Sequence, residues 1–455
     1  MTRLSLILRF CLQCGFTGLL LMPLSAFGVE RFPPPEFEEG YVMPPTTTPA
    51  PRAGAMEYVD AAVLLGTLSL ASYFVLKKRS RRPIFGLMLF SLFYFGFYRK
   101  GCICAVGSIQ DVTLAVFNNN YLVPLTVLLF FLAPLLFTLF FGRTFCAAVC
   151  PLGAIQDVML VRPVKTPSWL EQTLGLLPWI YLGSAVLFAA TGTAFIICQY
   201  DPFVSFFRRS GSFNMLALGA GFLALATVIG RPYCRFLCPY GALLSVFSRF
   251  SKWNVVLSPS DCIRCQLCDV ACPFSAIREP PQKNSTPVLQ PSWTRAAAWF
   301  LVALLLVGAG AFGARHLAVP FSKLHPTVAL AERIAAEDAG QIAEPTDAST
   351  AFRQTGRPSQ ELFAEAWRIR ERFVFGTTLL GAFIGLVFGI KLVALVFVRL
   401  PDTYEPDHAH CLSCGRCYTY CPKEIGRKKR LQNKKVIPLS VVEMPKSNPP
   451  GQQPA

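Results

Sequence analysis

Two short runs of cysteine define the chemistry open to this chain. Cys262-Ile-Arg-Cys265-Gln-Leu-Cys268-Asp-Val-Ala-Cys272-Pro273 and Cys411-Leu-Ser-Cys414-Gly-Arg-Cys417-Tyr-Thr-Tyr-Cys421-Pro422 share the spacing C-x2-C-x2-C-x3-C-P. A loop of this spacing places three thiolates around one 4Fe–4S cube and sends the fourth to a neighbouring cluster. Structural zinc pairs C-x2-C units across a longer gap, so the spacing argues against it. Applied to both runs, the fourth-cysteine rule predicts cluster I on Cys262, Cys265, Cys268 and Cys421, and cluster II on Cys411, Cys414, Cys417 and Cys272. The two runs must then meet in space.

A second motif occurs twice, as Gly142-Arg143-x2-Cys146-x3-Cys150-Pro151-x-Gly153-Ala154 and Gly230-Arg231-x2-Cys234-x3-Cys238-Pro239-x-Gly241-Ala242. Equal spacing marks an internal repeat. A degenerate third copy holds Cys102 and Cys104; its residues 106–112 read VGSIQDV where 152–158 read LGAIQDV. Each C-x3-C-P supplies two thiolates, so a four-ligand site needs Cys146, Cys150, Cys234 and Cys238 together. A third cluster, a soft ion such as Cu(I), redox-active thiols and small buried cysteines at helix ends are all open for them. Arg143 and Arg231 read either as partners of thiolates or quinone oxygens, or as anchors at the inner ends of spans. Cys102, Cys104 and Cys198, the last just before Gln-Tyr-Asp201-Pro202, form a more speculative outer-side set. For that set a metal site, an electron exit point and a disulfide stand equally open.

The elements that must carry these motifs are membrane helices. Of 455 residues, 53% are hydrophobic and 15% charged, whereas a soluble protein carries about a quarter charged residues. The net charge of +17 gathers beside apolar segments, as topology signals do, and does not call for nucleic acid. Most of the 17 cysteines fall in ligand-spaced groups. Residues 1–28 read as a signal peptide and 29–56 as a proline-rich exported linker. Residues 57–260 hold five expected helices, near 58–76, 84–98, 122–141, 174–197 and 213–229, with the C-x3-C-P repeats at their ends. The basic stretch Lys77-Lys78-Arg79-Ser80-Arg81-Arg82 sets the first of these ends inside. The first ferredoxin segment, 261–285, precedes a sixth span at 293–313. An exported helical cap, 314–373, leads to a seventh span at 374–399, the second ferredoxin segment at 400–426 and a basic disordered tail at 427–455. Counting crossings puts both cysteine runs on the cytoplasmic face, and only Arg99-Lys100 runs against the charge rule.

The expected fold is therefore a polytopic α-helical membrane protein of about seven transmembrane helices, internally repeated. It carries a small cytoplasmic α+β unit of bacterial-ferredoxin type, holding two 4Fe–4S clusters and assembled from two separated segments. The chain has no C-x-x-C-H, and its four histidines (His316, His325, His408, His410) fall outside the apolar spans, which argues against c-type and bis-histidine haem. No Gly-rich dinucleotide fingerprint or P-loop is present, and the exported stretches are too short for a flavin domain.

Together the paired GR-x2-C-x3-CP-x-GA motifs and the two ferredoxin runs resemble the membrane polyferredoxins of the NosR/NapH type, over roughly residues 60–425. The resemblance implies a relay between a cytoplasmic donor or quinol and an exported acceptor or reductase, set in the bacterial inner membrane. It carries over the eight run cysteines as cluster ligands, together with Cys146, Cys150, Cys234 and Cys238. NosR-type members have an exported flavin-binding domain ahead of the spans, where this sequence has about 30 proline-rich residues. A more distant likeness, to CcoG-like polyferredoxins, keeps a copper-binding or copper-reducing maturation factor as the alternative. No named reaction is implied by either.

Overall fold

The computed structural model describes residues 54–101, 104–119, 121–257, 262–280, 293–342, 344–396, 401 and 403–436. The expected signal peptide, the linker up to residue 53, Cys102 and the tail beyond Val436 lie outside the described residues.

Among the described residues, four helices are long and apolar enough to cross a membrane: Gly54–Lys78, Trp169–Ala190, Ala297–Arg315 and Ser359–Ala394. The other expected crossings are shorter. Leu125–Phe141 has 17 residues and Phe213–Ala226 has 14, while Arg81–Ser91 reaches Tyr98 only through the π-helical stretch Leu92–Tyr98. A perpendicular crossing takes about 20 residues. The first long helix carries a buried acid, Asp60, which pairs with Arg99 at 2.8 Å and accepts from Tyr94 Oη at 2.7 Å. That pairing explains the basic residue that runs against the charge rule, since an intramembrane carboxylate needs a partner.

Two expected boundaries are corrected. Ser359–Val396 is one helix of 38 residues, so no break separates the cap from the last span. Polarity changes near Phe375, but no proline ends the helix there, and Gly376 stays helical against Leu187, whose Cδ1 would lie 2.4 Å from an added Cβ. The tail expected to be disordered from residue 427 is helical as far as Val436, within Pro422–Val436. Its Lys, Arg, Gln and Leu residues are good helix formers, and Glu424 in its first turn is paired with Arg79.

The cap rests on the long helix. Val328, Ala331 and Ile334 of Pro326–Asp338 share an apolar cluster with Leu362, Ala366, Ile369 and Phe373. Further along, Gly381, Gly385 and Gly389 let Ala297–Arg315 lie directly on the backbone. A Cβ would come 2.1 Å from Gly310 O at Gly381, 2.2 Å from Leu306 O at Gly385 and 2.7 Å from Ala303 Cβ at Gly389. Small residues four apart are the usual means of close helix contact in lipid.

The two cysteine runs are joined by short antiparallel strands, Ile277–Arg278 after the first run and Glu405–Pro406 before the second, with Ile277 opposite Pro406. A central core of Leu64, Leu68, Phe95, Phe130, Phe145, Tyr233 and Tyr240 lies between the helices that carry the repeats. Replacing Gly385→Leu is expected to force the 297–315 and 359–396 helices apart and to cost about 1–3 kcal/mol. Thermal unfolding in detergent reads this; an unchanged midpoint would mean that the contact does not matter to stability.

Candidate iron–sulfur and thiolate sites

The two ferredoxin loops have the same backbone. Arg264 and Gln266 in the first have φ of 53° and 62°, and Ser413 and Gly415, at the same offsets in the second, have φ of 53° and 71°. Left-handed residues interleaved with ordinary ones turn successive N–H groups inward, which makes a nest for an anionic cluster. Each loop then enters a single turn of helix, Leu267–Val270 or Cys417–Tyr420.

Cys262, Cys265, Cys268 and Cys421 line one cavity, with Leu257, Tyr404 and Pro422 among its walls. Four thiols from two runs around an apolar space fit a cube. Cys272, Cys411 and Cys414 lie together against Phe274, Ala276 and Leu412, and Cys417 neighbours all three of these cysteines. Burial pushes the Cys268 thiol up to about 11 and the Cys411 thiol up to about 12, so both hold their protons until a metal displaces them. Asp407 anchors the approach to the second run. Burial alone would raise its carboxyl, but His410 at 2.9 Å, Arg278 at 3.0 Å and the Ala409 N–H hold it well below the usual carboxylate range. His408 Nδ1 accepts from Asn254 Nδ2, 3.1 Å away, so both histidines serve the loop.

The C-x3-C-P cysteines converge as well. Cys150 has Cys146, Cys234 and Cys238 as its thiol neighbours, although the motifs lie far apart in sequence. The two motifs hold each other by reciprocal arginines. Arg143 donates from Nη2 to Gly241 O at 3.3 Å, and its Nη1 reaches Ala409 O of the second run at 3.0 Å. Arg231 donates back to Cys146 O and, at 3.5 Å, to Ala147 O. The glycines of CP-x-GA make room for them. A Cβ at Gly153 would lie 3.1 Å from Arg231 Nη1, and one at Gly241 would lie 3.3 Å from Arg143 Nη2. The glycines of GR admit the ferredoxin loops. Gly230 faces Pro273 O, 2.6 Å from an added Cβ, and Gly142, with φ of 70°, faces Asn254 and Ser413. Among the described residues no three His, Cys, Asp or Glu side chains are set to hold a single metal ion.

Gln156 and Asp157, both within the repeated IQDV, link the motifs to one another. Gln156 accepts from Tyr233 N at 3.0 Å and donates to Cys234 Sγ at 3.3 Å. Asp157, with its side chain fully buried, pairs with Arg81, with Arg231 at 3.5 Å and with Arg416 at 3.3 Å. Burial raises its pKa, but Arg231, Arg81 and Arg416 outweigh that and hold it down at about 2. Arg81 also donates to Cys414 O at 3.1 Å. One carboxylate thus ties the membrane repeats to the second cysteine run. Of the remaining three cysteines considered, Cys104 and Cys198 are free thiols lining one further cavity, and Cys102 lies outside the described residues.

These sites define a membrane protein built around 4Fe–4S binding domains. A 4Fe-4S binding domain family matches residues 123–168 and again 212–257, and a second 4Fe-4S binding domain family matches 255–278. The chain is similar to the protein NirI of Paracoccus denitrificans, 29% identical over 49% of this chain and 35% of that one. It is also similar to the regulatory protein NosR of Pseudomonas aeruginosa, 26% identical over 46% of this chain and 32% of NosR. The methylamine utilization ferredoxin-type protein MauN of Paracoccus denitrificans is 31% identical over 31% of this chain and 52% of MauN. The chain thus spans about half or less of these relatives. No solved structure matches. In its matched segments the chain is similar to ferredoxin-type membrane proteins of the NosR/NapH type.

Asp157→Asn is expected to leave Arg231 buried without its counter-charge and to cost roughly 3–5 kcal/mol. The wild-type carboxylate contributes stability above the ordinary carboxylate pKa of about 4; that contribution is lost as pH falls toward the folded value of about 2. Unfolding followed from neutral to acid pH should therefore show the wild type and Asp157→Asn converging in acid. A constant gap between them would sink the assignment.

Proposed function

We propose that the chain is a membrane electron carrier relaying electrons between a cytoplasmic donor or quinol and an exported acceptor or reductase. The eight run cysteines hold two 4Fe–4S clusters on the cytoplasmic face, with Cys262, Cys265, Cys268 and Cys421 on one and Cys411, Cys414, Cys417 and Cys272 on the other. Cys146, Cys150, Cys234 and Cys238 hold a third. When bound, such clusters supply one-electron exchange at potentials set by hydrogen bonds and exposure.

The observation that carries this reading is the position of Cys146. It packs against the same small apolar cluster as Cys272, Cys411 and Cys414, so the membrane quartet begins where the second ferredoxin site ends. The protein's own part is to hold the ligands rigid and dry. Gln156 Nε2 and Arg143 Nη2, 3.3 and 3.9 Å from Cys234 Sγ and Cys146 Sγ, place donors and positive charge beside the thiolates. Phe145 and Tyr240, both buried, exclude water from the quartet.

Proteoliposomes holding the full-length chain, with ferricyanide trapped inside and dithionite outside, test the relay. Bleaching of the trapped oxidant is expected with the wild type and is expected to vanish with Cys146→Ser/Cys234→Ser, which also loses about four irons per chain. If the wild type bleaches nothing, there is no transmembrane relay. Copper, rather than iron, disappearing with the two cysteines would favour a copper-handling role.

A further inference from the structure

Four places in the membrane domain repeat one local arrangement, and the quartet uses only two of them. In each, a thiol or carboxyl group faces the backbone N–H three residues further on: Cys104 with Gly107, Cys150 with Gly153, Asp201 with Val204, and Cys238 with Gly241. In the sequence an earlier cysteine precedes each of them, Cys102 before Cys104, Cys146 before Cys150, Cys198 before Asp201 and Cys234 before Cys238. The glutamines repeat the pairing. Gln156 accepts from Tyr233 N at 3.0 Å, just before Cys234, and Gln110 accepts from Ile197 N at 3.0 Å and from Cys198 N at 3.3 Å. The motif at Cys104 is therefore joined to that at Cys198 as the motif at Cys150 is joined to that at Cys234. Asp201-Pro202 stands where the quartet has Cys238-Pro239.

Three independent features suit this outer copy to a ligand. Cys104, Cys198 and Asp201 line one cavity of about 350 Å³. Asp201 is 3% exposed, its Oδ1 accepts from Phe203 N at 2.9 Å, and it makes no direct ion pair among the described residues, although Arg208 on the same cavity wall brings a positive charge near it. A buried carboxylate in a membrane domain is costly unless it has a cation or metal to neutralise it. Gln110 Nε2, on a side chain at 0% exposure, has no hydrogen-bond partner among the described residues, whereas its counterpart on Gln156 donates to a cysteine sulfur. Cys104 and Cys150 also line the same small apolar cavity, walled by Leu64, Phe95 and Phe130, so the two copies are neighbours.

We propose that Cys104, Cys198 and Asp201 hold a further iron–sulfur cluster on a mixed thiolate and carboxylate ligand set. It would occupy the outer cavity, neutralise Asp201 and give Gln110 Nε2 a sulfur acceptor. Through the repeat, the proposal rests on reading the quartet as a cluster site.

Iron and acid-labile sulfide per chain, with EPR of the reduced form, are measured on anaerobically purified full-length protein. The wild type is compared with Cys104→Ser/Cys198→Ser, Asp201→Cys and Cys146→Ser/Cys234→Ser. The outer double variant is expected to lose iron and sulfide in equal amounts, about four of each for a cube, while the ferredoxin signals persist as an internal report of folding. Asp201→Cys is expected to keep the wild-type iron and to shift one EPR signal. Wild-type iron in the outer double variant with ferredoxin signals intact overturns the proposal, as does an Asp201→Cys spectrum that superimposes on the wild type. The latter comparison also decides the matter if the double variant fails to fold. Iron lost from the outer variant but not from the Cys146/Cys234 variant would sink the quartet reading alone, and the reverse would sink this one alone.

Discussion

One buried carboxylate ties the repeated C-x3-C-P motifs to the second cysteine run. Asp157 receives Arg81 from the helix after the first span, Arg231 from the second C-x3-C-P motif and Arg416 from the second ferredoxin run. Arg231 is itself fully buried. A guanidinium there is tolerable only with a fixed counter-charge, because desolvating it is expensive and breaking such a pair strands the other ion. The arrangement has a cost, and it returns specificity: three segments distant in sequence can take only one mutual register.

The reciprocal arginines show why the repeat motif contains what it does. GR and CP-x-GA are halves of one interlock, in which each arginine needs the bare Cα of a glycine in the other copy. Mutual support of this kind brings the four cysteines together. It also turns the thiols toward the ferredoxin loops, which approach through Gly142 and Gly230. The sites are therefore held as a continuous body, and separation between them is set by side-chain packing and not by flexible connections.

The region from residue 297 to residue 396 follows different rules. The 359–396 helix, its glycine-lined contact with 297–315 and the cap helices form a second packing unit that reaches the repeats through Leu187 and Phe188. Close backbone contact and small residues hold it, as suits an environment in which lipid is as apolar as a leucine side chain.

That the two cysteine runs meet was legible in the sequence by itself, because the C-x2-C-x2-C-x3-C-P spacing sends its fourth cysteine to the other run's site. Membrane character, the helical cap and the paired GR-x2-C-x3-CP-x-GA motifs were legible too, being properties of short windows. The extent of the 359–396 helix was not, since a change of polarity resembles a boundary when no breaker residue marks one. Nor were the roles of Asp157, Gln156, Gln110 and Asp201. Each acts on a segment well removed in sequence, and which segments meet is decided only when non-local helices pack and a buried charge selects its partners.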